Sequence, residues 1–133
     1  MGAADFTAAT VRTAFFDREQ ERCFRCYRGL RFEGRGVEWS AHHRKPRGMG
    51  GSSDRARASI TNCLVLCGSG TTGCHGWVEK ERDVATGQGY LIPKNATTED
   101  FAPAAVRVRR WDGSWWLLTE SGRAVEVEEG VPL

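Results

Sequence analysis

The chain has 133 residues, 40% of them hydrophobic, and a formal net charge of +2, which fits one domain with a modest core and excludes a wholly disordered polar chain. No run is long and apolar enough to span a membrane, and the first 16 residues lack the basic start and compact apolar stretch of a secretory signal. A cytoplasmic setting is therefore expected, in which the five cysteines are better read as metal ligands than as disulfides.

Residues 1–16 read as a flexible N-terminal tail, and Asp17 to Arg22 as a short charged stretch without a clear period. Cys23-Phe24-Arg25-Cys26 forms a tight two-cysteine turn. Weak alternation from Val37 to His42 predicts a strand ending at the pair His42-His43. Arg47 to Ser53 is a glycine-rich turn. Ile60 to Cys67 is a short apolar run that is either strand or helical turn by periodicity. After the flexible loop Gly68 to Gly73, a helix is expected from about Cys74 to Thr86, with Trp77, Val78 and Val84 on one side and Gly87 as terminator. Gly89 to Ile92 reads as a brief strand before Pro93, which closes a core spanning 17–93.

Residues 94–133 change character. A linker over 95–103 leads to three strand-like runs, Val106 to Trp111, Ser114 to Thr119 and Arg123 to Val127. Asp112-Gly113 between the first two is a strong hairpin signal. A small β-meander is expected, packing on or near the core through Trp111, Trp115 and Trp116.

Charge is unevenly placed. From Arg18 to Arg57 there are eleven Lys or Arg against five Asp or Glu, so the remainder of the chain is acidic on balance. The basic excess surrounds the two adjacent histidines. Nucleic acid is a natural partner for such a patch, although an ordinary solvated face has the same composition.

Four cysteines pair by spacing. Cys23 and Cys26 are separated by two residues, Cys67 and Cys74 by six residues of Gly, Ser and Thr. Two such loops can place four thiolates at the corners of a tetrahedron, which suits structural zinc. Gly68, Gly70 and Gly73 would let the second loop fold back. A thioredoxin-like dithiol lacks its βαβ context. Haem attachment would need a cysteine where Thr71 stands. An iron–sulfur site is a weaker alternative. Cys63, beside Leu64, reads as a buried small hydrophobe.

All three histidines, His42, His43 and His75, lie inside or beside the cysteine-bounded region. On a strand, His42 and His43 point to opposite faces, yet both can reach one centre where the strand ends. One would hold a cation and the other would activate water. His75 follows Cys74, so a metal on that cysteine would also aim the histidine.

The order Cys23-x2-Cys26, His42-His43-Arg44, Arg47-Gly48-Met49-Gly50-Gly51, Asn62-Cys-Leu-Val-Leu-Cys67 and Cys74-His75-Gly76-Trp77 resembles the His-Asn-His (HNH) endonucleases. It is most similar to the small zinc-containing versions of actinobacterial tailed phages and prophages. The resemblance covers roughly residues 20–92. It implies a small α+β protein with a ββα-metal nuclease core stapled by zinc on Cys23, Cys26, Cys67 and Cys74, here with a C-terminal β-rich extension. It implies His43 as the general base, His42 and His75 as ligands of a catalytic divalent ion, and Asn62 as the residue that pins the loop between the strands. Cys63 stands where Leu is usual, and the gap from Cys67 to Cys74 is long.

Phosphodiester hydrolysis on this plan gives 5′-phosphate and 3′-hydroxyl products. Arg44, Lys45 and Arg47 are expected to hold DNA phosphates, Arg44 nearest the reaction. The catalytic ion would be Mg²⁺, Mn²⁺, Ni²⁺ or Zn²⁺. Nothing marks a recognition helix, so sequence specificity is expected to be weak. The family places such enzymes beside a phage terminase in genome packaging; a monomer is expected. The competing class is a zinc-stapled DNA-binding module without catalysis, and a third is a structural protein of a phage particle or packaging complex.

Overall fold

The alternation around Trp39 becomes β1 (Trp39–His43), and the apolar run that follows Asn62 becomes β2 (Cys63–Cys67). They pair antiparallel with Trp39 opposite Cys67 and His43 opposite Cys63. The structure is a computed structural model, and it describes residues 5–46 and 55–128; the glycine-rich turn over 47–53 lies outside them. Every residue of β2 is buried, which explains its unbroken apolar sequence. Val37 stays out of β1 and is exposed, because the chain is still turning there: the Val37 and Glu38 amides both donate to the Gly34 carbonyl.

Residues 5–16 are not a flexible tail. Thr7 caps a short helix, α1 (Ala8–Arg12), its Oγ1 accepting from the Thr10 amide at 3.1 Å. The chain then widens into a π-type turn over Thr13–Arg18, marked by the Glu19 amide bonding five residues back to Ala14. Phe6, Val11, Ala14 and Phe15 are buried. Phe15 packs against Trp39 with centroids 4.5 Å apart, so this segment covers the Trp39 side of the hairpin. Burial of those apolar side chains outweighs the low helix propensity of so short a run.

The second helix begins at the end of the Gly68 to Gly73 loop. It is not one helix to Thr86 but two, α2 (Gly73–Lys80) and α3 (Arg82–Gly87), broken at Glu81 with φ −107° and ψ 55°. The break rotates the later turn, so Val84 faces solvent and Ala85 is buried. Residues 89–92 form no strand. They run as a buried extended piece whose polar backbone serves side chains of β1 and the residues after it. A second antiparallel sheet of three strands follows: β3 (Val108–Arg109), β4 (Trp115–Leu118) and β5 (Ala124–Val127), in the order β3-β4-β5. The Asp112-Gly113 turn joins β3 to β4, with Gly113 at φ +86°. Trp115 is buried and Trp116 packs partly on the core, whereas Trp111 is exposed.

Two buried cations hold these pieces together. Arg18 donates to Glu19 at 2.6 Å, to the Ile60 carbonyl at 2.9 Å and to the Cys63 carbonyl at 2.6 Å. Glu19 also takes Arg110 at 2.8 Å, which links the N-terminal segment, the start of β2 and the C-terminal sheet. Arg44 is wholly buried. Its guanidinium donates to the carbonyls of Gly89 (2.9 Å), Thr61 (3.0 Å), Pro103 (2.8 Å) and Val106 (2.6 Å). Burial pushes its pKa down to about 9, which leaves it charged at neutral pH. Truncating it would orphan those carbonyls in the interior. Arg44→Ala should therefore lower unfolding stability by about 3 kcal/mol or more, measured by urea denaturation.

Candidate functional site

The four cysteines converge. One sulfur from each of Cys23, Cys26, Cys67 and Cys74 lies within 4.8 Å of all the others, and the Cys26 and Cys67 sulfurs are 3.7 Å apart. A tetrahedral zinc with bonds of about 2.3 Å separates its sulfurs by roughly 3.8 Å, so the cluster could hold a structural metal ion such as zinc. Three places in the chain supply it: the two-cysteine turn, the end of β2 and the start of α2. The turn is docked on β2 by the Phe24 amide, which donates to the Val65 carbonyl at 2.9 Å.

The loop between Cys67 and Cys74 closes by backbone approach. At Gly68, with φ +85°, a Cβ would lie 2.0 Å from the Thr72 carbonyl oxygen. At Gly73, with φ +62°, it would lie 2.7 Å from that of Cys67. Neither position admits a side chain. Gly70 has open space around it and is not needed for closure.

Donors surround the sulfurs. The Cys67 amide donates to the Cys23 sulfur and the Cys74 amide to the Cys67 sulfur, each at 3.3 Å. Arg25 sits 3.6 Å over the Trp77 ring and donates to the Cys74 sulfur at 3.4 Å. Such contacts favour thiolates. Crowding works the other way: the hydrogen bond with Cys23, together with burial, pushes the Cys67 thiol up to about 12. A bound cation would resolve that conflict by displacing the protons. Cys63 stands apart, fully buried, its thiol raised to about 11 by burial; it packs and is not a ligand.

A second cluster lies on the other side of α2. One ring nitrogen each of His42 and His75, with a carboxylate oxygen of Glu79, all fall within 4.8 Å of one another. The His42 and His75 ring centroids are 5.0 Å apart. His42 Nε2 lies 2.8 Å from the Tyr90 carbonyl oxygen. A carbonyl only accepts, so Nε2 carries the proton and Nδ1 keeps its lone pair, as in metal-bound histidines oriented by a backbone carbonyl. Burial drives the His42 pKa down to about 3, against the Tyr90 carbonyl, so the ring is neutral near pH 7. His75 is shifted downward by burial too, opposed by Glu79. Its Nδ1 is buried without a hydrogen-bond partner, and its Nε2 lies 3.8 Å from a Glu79 carboxylate oxygen. Two imidazoles and a carboxylate fit a divalent first-row ion.

His42 and His43 do leave β1 on opposite faces, yet both line one pocket of about 290 Å³, with Ala41, Pro46, His75, Glu79, Arg82 and Leu91. The chain bends directly after His43. Asn62 ties off that bend: its Oδ1 accepts from the Lys45 amide at 2.7 Å, and its Nδ2 donates to the Lys45 carbonyl (3.1 Å) and the Arg57 carbonyl (2.9 Å).

The expected phosphate ligands fare differently. Arg44 is spent on backbone carbonyls inside the protein, and the Lys45 ammonium donates to the Ala96 carbonyl at 2.6 Å with little exposure. Neither faces the pocket. Arg47 lies outside the described residues. Arg82, which pairs with Glu79 at 2.8 Å, is the cation on the described pocket lining. Glu79 and Arg82 were both missed by sequence reasoning. The available signal was spacing: Glu79 is four residues beyond His75 and so shares its helix face.

A larger cavity of about 860 Å³ opens between the π-type turn and the C-terminal sheet, with Phe16, Tyr27, Trp111 and Trp116 among its walls. No His or Cys is among its described lining residues, whereas His42, His75 and Glu79 all line the smaller pocket. Among the described residues no helix is long and apolar enough to cross a membrane. No family model, curated protein or solved structure matches the chain.

Zinc on the cysteine cluster would make stability depend on metal. Cys67→Ser should abolish stoichiometric binding of one zinc per chain, read by atomic emission, and lower the thermal midpoint by about 10 °C or more. A strong chelator should lower the wild-type midpoint in the same direction.

Proposed function

We propose that this protein is a metal-dependent endonuclease that hydrolyses DNA phosphodiester bonds. The observation that carries the reading is one pocket in which His42, His75 and Glu79 offer a three-donor metal site and His43 stands on the same wall. The resemblance to HNH endonucleases supports it, since His42, His43, Asn62 and His75 occupy the motif positions.

In this mechanism His43 takes a proton from the attacking water. His42, His75 and Glu79 would hold a divalent ion, which when bound would supply Lewis-acid charge to the scissile phosphate. Tyr90 fixes the His42 tautomer through its carbonyl. Asn62 keeps the bend after β1 in place, so that His43 and His42 open into one space. Arg82, rather than Arg44 or Lys45, takes a non-bridging phosphate oxygen at the pocket edge. Phosphate contacts carry no base information, so cleavage is weakly sequence-specific, with 5′-phosphate and 3′-hydroxyl ends. Structural zinc belongs on the four cysteines. A role beside a phage terminase in genome packaging is part of this proposal and rests on the family resemblance alone.

Supercoiled plasmid incubated with Mg²⁺, Mn²⁺, Ni²⁺ or Zn²⁺ should be nicked by the wild type. His43→Ala should slow nicking by about 10²–10⁴-fold. Glu79→Gln should raise the metal concentration needed for half-maximal rate by about tenfold or more. Full activity in His43→Ala would remove the general base assigned here. Tight DNA binding without cleavage under any metal would identify a zinc-stapled binding module instead, and neither binding nor cleavage a structural protein.

A further inference from the structure

The N-terminal segment does more than cover the hairpin. The Phe6 ring lies flat on the His43 imidazole, with centroids 3.9 Å apart and planes only 15° from parallel. Phe6 is 7% exposed and is not among the residues lining the pocket. His43 itself lines the pocket, so Phe6 covers one face of a ring that reaches it. Both partners sit on anchored backbone. His43 ends β1 and pairs with Cys63. Phe6 immediately precedes the Thr7 cap, with buried Val11 four residues into the helix; these are the two positions of a hydrophobic staple, which fixes the direction in which a chain runs into a helix.

We infer that Phe6 is a positioning residue for His43 and that the N-terminal segment is part of the candidate active site. The lone pair of an imidazole nitrogen lies in the ring plane, so a proton can be taken only along that plane. A flat neighbour at stacking distance restrains rotation about the Cβ–Cγ bond, since tilting the ring drives its edge into the Phe6 face. Two in-plane orientations remain out of a full circle. The line along which His43 meets a water is thereby set before substrate arrives, which is the preorganisation that proton transfer needs. This role rests on the nuclease reading; the stacking itself does not.

The test compares full-length Phe6→Leu, which keeps apolar bulk but has no ring face, with Phe6→Tyr, which keeps the face. Single-turnover nicking at saturating plasmid should fall about 10- to 100-fold in Phe6→Leu, with half-saturation by DNA unchanged and the thermal midpoint close to wild type. Phe6→Tyr should restore the rate. The His43 Cε1–H proton resonance, displaced by the Phe6 ring current, should move in Phe6→Leu and return in Phe6→Tyr. Wild-type rate in Phe6→Leu, equal slowing in both variants, or an unmoved His43 resonance would overturn the inference. If the wild type nicks nothing with any metal, the nuclease reading and the catalytic part of this role fall together, while the His43 resonance still decides whether Phe6 holds the ring.

Discussion

Cys67 and Cys74 lie at the two ends of a loop that only backbone-to-backbone contact can close, and much of the site follows from that closure. Cys67 is the last residue of β2; Cys74 is the second residue of α2. Drawing their sulfurs together with Cys23 and Cys26 fixes where α2 starts and how it is rotated about its axis. His75 is then set facing His42, and Glu79 follows one turn later on the same face. The cysteine cluster contributes no side chain to the second pocket, yet the placement of His75 and Glu79 on α2 follows from where Cys74 is held. A chain of this length, with sixteen glycines, would gain from a metal cross-link at that cluster what a larger apolar core supplies elsewhere.

The charged residues show how one sequence patch can divide between surface and interior. Arg18 and Arg44 belong to the basic excess that reads as a nucleic-acid footprint, but both are buried cations with backbone carbonyls for partners. A guanidinium suits that task because its donors fan out in one plane and can meet carbonyls from separate segments at once. Arg44 joins residues 61, 89, 103 and 106, none of which is in a strand with another. It organises the irregular half of the molecule, where no sheet ladder is available to satisfy those oxygens.

The cysteine cluster was legible in the sequence because spacing is a local signal; the run after Asn62 was legible as apolar, but only its pairing with β1 makes it a strand rather than a helical turn. The hairpin around Asp112-Gly113 was legible, like the cysteines, from a local signal. Arg44 was misread because a basic residue beside two histidines has the composition of a phosphate ligand; the carbonyls that take its guanidinium come from residues 61, 89, 103 and 106, far along the chain. Residues 5–16 were misread because Ala and Thr dominate there. The spacing of Phe6, Val11 and Phe15, with Thr7 before Thr10, carried the helix, but its face has meaning only against Trp39, far along the chain. The break at Glu81 had no local mark at all, since neither Gly nor Pro stands there. Tertiary packing decided it.

The Arg44 shell has a bearing on the order in which the chain can be finished. Synthesis runs from the N-terminus, and the hairpin with its cysteines can assemble once Cys74 has emerged. The carbonyls of Pro103 and Val106 come about thirty residues later, and Glu19 must wait for Arg110 before both its cations are in place. A nascent chain thus carries β1, its two histidines and a buried-to-be guanidinium for some time before the last oxygens arrive to surround that charge. Contacts so distant in sequence form late and slow folding. The C-terminal sheet, whose described residues line none of the smaller pocket, is in this sense a closing piece: the shell of oxygens around Arg44 is complete only once residues 103–106 have been made.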